Sequence, residues 1–218
     1  MKSIQAILFD LDGTLLDTAA DLGAALNQLL LEEKLPVQSF EKIRPAAGMG
    51  TSGLLKLGFG VNASNSNYSR LRNRFLELYD QHLTEQTQLF PGVLEILQIL
   101  DERKIPWGIV TNKPARFTDP LIRYLQFESR AHCVISGDTL PFHKPHPAQI
   151  LHACELLTCP PENCIYVGDM QTDVIASRHA NARAFTALYG YISPEENPRN
   201  WNADVYLEQP NDLLEWIE

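Results

Sequence analysis

The sequence predicts a doubly wound α/β fold carrying a helical insert, and three observations predict it. Short apolar runs recur along the chain, amphipathic stretches at helical spacing separate them, and one long interval lacks any strand-like run. The runs are Ile4 to Phe9, Trp107 to Val110, Cys133 to Ile135, Ile165 to Val167 and Ala184 to Leu188. Hydrophobicity that is continuous rather than alternating suits parallel strands buried on both faces. Strands that alternate with helices build an open parallel sheet sandwiched between helices.

Among the helical stretches, Val93, Ile96, Leu97 and Leu100 fall on one face. The exceptional interval runs from Asp17 to about Gln88. Leu22, Leu26, Leu29 and Leu30 share a helical face there, Asp17 or Thr18 is placed to cap that helix, and Leu35-Pro36 stops it. A second helix is expected from Ser66 to Thr84, with Leu71, Phe75, Leu78 and Tyr79 along one side. Between them Gly48, Gly50, Gly53, Gly58 and Gly60 mark flexible backbone. Phe90-Pro91-Gly92 marks the return to the sheet. The expected organisation is a core of residues 1–16 plus 89–218 and a helical cap of residues 17–88.

Composition narrows the partners. The 218 residues can bury a substantial core, and the chain is 44% hydrophobic and 21% charged with a net charge of −9. An acidic surface repels nucleic acid and anionic membrane, so neither is an expected partner. A phosphate anion could be bound only if positive charge were concentrated at the site itself. The apolar run of the N-terminus is too short for a secretory segment with its cleavage site. No apolar stretch approaches the ~18 residues of a membrane span. A cytoplasmic protein is expected, with Cys133, Cys154, Cys159 and Cys164 as free thiols, because their spacing matches no zinc pattern.

In open α/β sheets ligands bind outside the carboxyl ends of the strands, so the residues that follow each run are the ones to collect. Asp10-Leu11-Asp12-Gly13-Thr14 comes first. Two carboxylates two residues apart at a strand end point to the same side and repel, so they need a cation or a shared proton. A hard divalent metal such as magnesium answers that need beside a phosphate. Gly13 permits a tight turn whose amides can approach a phosphate, although an ordinary turn closing a strand reads the same way. Thr111 and Asn112 offer a hydroxyl and an amide to phosphate oxygens, or cap the next helix. Lys144 lies between Pro-containing segments in His143-Lys144-Pro145, where it is a phosphate cation or a solvated lysine. Asp169 and Asp173 follow Cys-Ile-Tyr-Val and either hold a metal or complement a helix N-terminus. What decides is the set: nucleophile, proton carrier, hydroxyl, cation and metal-binding carboxylate all sit where strands of one sheet end, as phosphoryl transfer requires.

The order DLDGT, VTN, HKP and GDMQTD resembles the four motifs of the haloacid dehalogenase superfamily, over essentially the whole chain. The resemblance implies a Rossmann-like core with an inserted cap. It implies Asp10 as the nucleophile that forms an aspartyl-phosphate, and Asp12 as the acid and then base. Thr111, Asn112 and Lys144 would bind phosphate, Lys144 also restraining Asp10. Mg2+ would take Asp10, the backbone carbonyl of Asp12 and Asp169, with Asp173 binding or orienting its waters. The superfamily's dehalogenases lack the second aspartate, which argues against halide chemistry here.

Further segments resemble phosphoglycolate phosphatases: Asp17-Thr18-Ala19-Ala20-Asp21-Leu22, Ile43-Arg44, Gly48-Met49-Gly50 and Thr111-Asn112-Lys113-Pro114. The stretch Tyr189 to Pro198, with Asn200-Trp201 and Trp107-Gly108, is similar to N-acetylmuramic acid 6-phosphate phosphatases. That tail is either substrate-directed or a packing segment covering the core. The resemblance makes Arg44, the Gly48 to Gly53 loop and Lys113 candidates at the substrate rim. Asn181 stands where the resemblance would place glycine, and asparagine tolerates left-handed backbone. Two other readings stand beside a phosphatase of a small phosphorylated metabolite. One is a sugar-phosphate mutase with the same residues, the other a non-catalytic binding domain on the same fold.

Overall fold

The structure is a computed structural model that describes residues 4–217. In chain order its strands are β1 (Ala6–Phe9), β2 (Leu16–Asp17), β3 (Gln88–Leu89), β4 (Trp107–Val110), β5 (Val134–Ile135), β6 (Cys164–Gly168), β7 (Arg183–Ala187) and β8 (Val205–Leu207). Its α-helices are α1 (Ala19–Glu32), α2 (Phe40–Gly48), α3 (Gly50–Phe59), α4 (Tyr68–His82), α5 (Val93–Glu102), α6 (Ala115–Tyr124), α7 (Ala148–Leu156) and α8 (Gln171–His179).

Six strands form one sheet in the order β5-β4-β1-β6-β7-β8, and every pairing in it is parallel. The chain leaves β1 to build one side of the sheet and returns beside β1 to build the other. β1 is therefore the switch point, and the crevice at its carboxyl end is where such a sheet binds ligands. Strand residues alternate in direction. Ile7 and Phe9 join a core cluster containing Val93, Ile96 and Leu121, whereas Ala6 and Leu8 join another containing Ile150, Ala153 and Ala176. Helices thus cover both faces, which explains the continuous apolar runs. All five predicted strands are present, and β8 adds a short edge strand.

Helices α1 to α4 form a cap region inserted between β2 and β3, which pair antiparallel through Leu16–Leu89 and Asp17–Gln88. The predicted apolar faces are the buried ones: Leu22, Leu26, Leu29 and Leu30 on α1, and Leu71, Phe75, Leu78 and Tyr79 on α4.

One expectation needs correction. The glycine-rich stretch is two packed helices rather than flexible backbone. Gly50 and Gly60 have φ of +60° and +65° and break or end α3, but a Cβ on Gly53 would lie 2.5 Å from the Ala46 carbonyl oxygen. That glycine serves close packing of α3 on α2. At the start of α1 it is Asp17, not Thr18, that caps: its Oδ1 accepts the Ala19 N–H at 3.4 Å, while the Thr18 hydroxyl makes no capping bond to its own helix. Asn181 does take the left-handed conformation, at φ +60°, just after α8.

All four cysteines are free and buried. Burial, reinforced by Cys154 nearby, pushes the Cys133 thiol up to about 12. Among the described residues, no helix is long and apolar enough to cross a membrane.

Candidate active site

Asp10, Thr111 and Asp169 directly follow β1, β4 and β6, three neighbours in the sheet, so backbone register alone brings them together. The turn after β1 closes through Gly13 N–H on the Leu16 carbonyl at 2.9 Å, with φ +81° at Gly13. A Cβ there would stand 2.1 Å from an Asp169 carboxylate oxygen, so only glycine lets the two loops touch. Gly190 makes the same close approach from the far side, where a Cβ would lie 2.3 Å from Asp169 Cβ.

The buried carboxylates of Asp10, Asp169 and Asp173 each place an oxygen within 4.8 Å of the others. Lys144 Nζ lies 3.0 Å from Asp10 Oδ2 and 2.7 Å from Asp173 Oδ1, and it donates to Tyr166 Oη at 2.7 Å. Tyr166 in turn donates to the Val110 carbonyl at 2.8 Å. Asp173 also accepts the Met170 N–H at 2.9 Å, so both its oxygens have donors. Asp169 is held by the Thr14 hydroxyl at 3.2 Å and by the Tyr191 N–H at 2.8 Å.

Electrostatics follow from this crowding. Burial pushes Asp10 up, Lys144 pulls it back, Asp173 pushes again, and the result is about 6. Asp169 is raised well above the usual carboxylate range by burial and then by Asp10 and Asp173. Burial pulls Lys144 down, but Asp10 and Asp173 outweigh it and raise its pKa. Three carboxylates against one ammonium leave an excess of negative charge in a dry setting. Hard oxygen donors with that excess fit a divalent cation of the magnesium type.

Asp12 stands apart from this cluster. Lys113 Nζ donates to both its oxygens at 3.1 Å and to Tyr79 Oη of α4 at 2.7 Å, while the Thr18 hydroxyl donates to Asp12 Oδ1 at 2.6 Å. The acid-base candidate is therefore oriented by one residue of the core and one at the start of the cap. A cleft of about 580 Å³ opens above, lined on the core side by Asp10, Asp12, Thr111, Asn112 and Lys113. Gly48, Arg72 and Tyr79 line it from the cap.

Several expected residues sit differently from their anticipated roles. The Asn112 amide is engaged with the Lys144 backbone, accepting its N–H at 3.0 Å and donating to its carbonyl at 2.9 Å. Arg44 does not line the cleft. Its guanidinium donates to the Gly190 and Tyr189 carbonyls at 2.9 and 3.1 Å and lies over the Tyr191 ring.

Sequence reasoning missed Tyr166, Tyr191 and Arg72. Tyr166 reads as core in an apolar strand, although a buried tyrosine hydroxyl usually finds a hydrogen-bond partner, and that was the available signal. Tyr191 shares the capping of α1 with Asp17: its hydroxyl accepts the N–H groups of Thr18 at 2.6 Å and Ala19 at 2.9 Å and donates to Asp17 at 2.8 Å. The Tyr189–Tyr191 part of the tail is thus joined to the site as support.

Comparison with known proteins agrees with this geometry. Residues 7–187 match the haloacid dehalogenase-like hydrolase family. An N-acetylmuramic acid 6-phosphate phosphatase of Pseudomonas putida is 36% identical, covering 99% of this chain and 96% of its own. A phosphoglycolate phosphatase of Xanthomonas campestris pv. campestris is 39% identical, covering 99% and 97%. A haloacid dehalogenase-like family hydrolase of Streptococcus pneumoniae, a solved structure, superposes with a TM-score of 0.83 at 25% identity over 100% of both chains. With motifs, fold and buried carboxylate cluster in agreement, the chain belongs to the haloacid dehalogenase-like hydrolase family.

Proposed function

We propose that this protein is a Mg2+-dependent phosphatase that hydrolyses a small, carboxylate-bearing phosphate monoester through an aspartyl-phosphate on Asp10. The observation that carries this reading is Lys144, buried and shared between Asp10 and Asp173, directly behind a cleft that Asp10 and Asp12 line. Lys144 holds Asp10 ionised and aimed. An Asp10 oxygen attacks phosphorus, a P–O bond forms, and the bond to the alcohol oxygen breaks. Asp12 supplies the proton to that oxygen, and its carboxylate then takes one from the water that attacks phosphorus and frees Asp10.

Asp10, the Asp12 carbonyl and Asp169 would hold Mg2+, with Asp173 reaching it through water. The metal, when bound, supplies the charge that lets an anionic nucleophile meet an anionic substrate. Thr111 contributes its hydroxyl to the phosphate. Asn112 acts by fixing the loop of Lys144 and through its own backbone. The same reading divides the chain into a core of residues 1–16 and 89–218 and a cap of residues 17–88, working in the cytoplasm, where four buried free thiols are at home.

Phosphoglycolate and N-acetylmuramic acid 6-phosphate are the two candidate substrates, on the names of the similar phosphatases. The cleft falls in the range of about 300–1,000 Å³ typical of ligand pockets, and its wall of Leu22, Tyr68, Leu76 and Phe117 gives a sugar ring an apolar face to lie on. That supports the larger substrate. The test is phosphate release from each, side by side, with Mg2+ and with chelator. Release from one or both that chelation removes is expected. Release that survives chelation, or none from either, overturns the proposal.

A further inference from the structure

We infer that Arg72 is the specificity-determining residue of the cap, pairing with the carboxylate of the substrate; this rests on the proposed function and names the subsite within it. The inference starts from one helix. Tyr68, Arg72, Leu76 and Tyr79 recur at successive turns of α4 and all line the cleft. The core-facing stripe of the same helix is Leu71, Phe75, Leu78 and Tyr79, so α4 has a second, functional face beside its structural one.

The cations around the cleft can be taken in turn. Lys144 is held by Asp10 and Asp173 and Lys113 by Asp12. Arg44 is spent on the Tyr189 and Gly190 carbonyls. On α4 itself, Arg70 pairs with Glu33 and Arg74 with Glu32 and Glu77. Arg72 is exposed and lines the cleft, and no ion pair or hydrogen bond engages it among the described residues.

A guanidinium on the cap side faces a cleft whose opposite wall holds the two aspartates that act on the phosphate. An anionic group on the end of the substrate away from phosphorus would meet it. Its planar fork matches a carboxylate in two-pronged fashion. Asp10 lines the cleft and is backed by the buried Lys144, so the two anionic ends of one substrate would lie toward two different cations.

The experiment measures kcat/KM for two pairs, the first differing in the carboxylate alone and the second in the lactyl ether that carries it. One pair is phosphoglycolate with 2-hydroxyethyl phosphate, the other N-acetylmuramate 6-phosphate with N-acetylglucosamine 6-phosphate. Wild type, Arg72→Gln and Arg72→Lys are compared. In Arg72→Gln the preference for the carboxylated member falls about 10–100-fold, the loss of a charge-assisted bond, and the change lies in KM. Arg72→Lys, which keeps charge but not the fork, loses less. A preference that survives Arg72→Gln overturns the inference, as does a fall shared equally by both members of a pair. Wild-type enzyme that releases phosphate from no member of either pair overturns the proposed function itself, before any variant is read.

Discussion

Asn112 grips the backbone of Lys144 from both sides, accepting its N–H at 3.0 Å and donating to its carbonyl at 2.9 Å. The end of β4 thereby fixes the loop that delivers the buried ammonium to Asp10. Asn112→Ala removes both bonds and leaves Lys144 free to drift. We expect a stability loss of about 1–3 kcal/mol and a fall in kcat of about 100-fold, because small misplacements of a catalytic group are costly. Thermal melts and single-turnover phosphate release check the two halves separately. Turnover near wild type would show that Asn112 does not position Lys144.

Asp10→Asn abolishes turnover and yet stabilises the metal-free protein at neutral pH. Asp10 titrates near 3.8 when unfolded and near 6 when folded, chiefly because burial disfavours its charge. Below 3.8 both states are protonated and the group costs nothing. As pH rises through 6 the folded state must carry a buried carboxylate, and that advantage of the acid form is lost. The cost above pH 6 is on the order of 3 kcal/mol, which asparagine avoids. Denaturant melts of both proteins with chelator at pH 7.5 and pH 4 should show a gap at the first and little at the second. Equal stability at pH 7.5 would refute it.

Affinity for Mg2+ should fall as pH drops through about 6, because protons on Asp10 and Asp169 compete with the metal for the same oxygens. Calorimetric titration at pH 7.5 and pH 5.5 reads this directly, and the heat should vary with the buffer's ionisation enthalpy as protons are released. Equal affinity at both pH values would contradict the raised carboxylates.

Gly190→Ala should lose metal binding while the sheet stays folded, since the new Cβ would sit 2.3 Å from Asp169 Cβ and 2.5 Å from the Gly13 carbonyl oxygen. The two loops would have to part. Circular dichroism with Mg2+ titration separates local damage from unfolding. Wild-type affinity would show that the loops yield without consequence.

The fold was legible because burial on both faces of a parallel sheet writes itself as uninterrupted apolar runs, and Ile7 and Leu8 need opposite faces covered at once. Asp10, Asp12, Lys144, Asp169 and Asp173 were legible for a related reason: each follows a run or lies in the loop after one. Less legible were groups whose task depends on a distant partner. Arg44 lies in the cap segment but is held by carbonyls 145 and 146 residues further on, a pairing that no local pattern carries. Arg72 stands between Arg70 and Arg74 in sequence and reads like either of them until the ion pairs of those two are seen on another side of the helix. The glycines of α2 and α3 misled because glycine permits close packing as readily as it permits motion.

The Tyr191 ring is a strut of fixed length. One end, through the residue's own backbone, bears on Asp169, and the other bears on the first turn of α1 at Thr18 and Ala19. A phenol ring neither stretches nor bends. Any swing of the cap that keeps those upper bonds must carry its motion down to the carboxylate, and any swing that spares the carboxylate must break them. Arg44 of α2 adds a second tie, to the carbonyls of Tyr189 and Gly190, so a change that frees the cap from this tail is expected to slacken the hold on Asp169 as well.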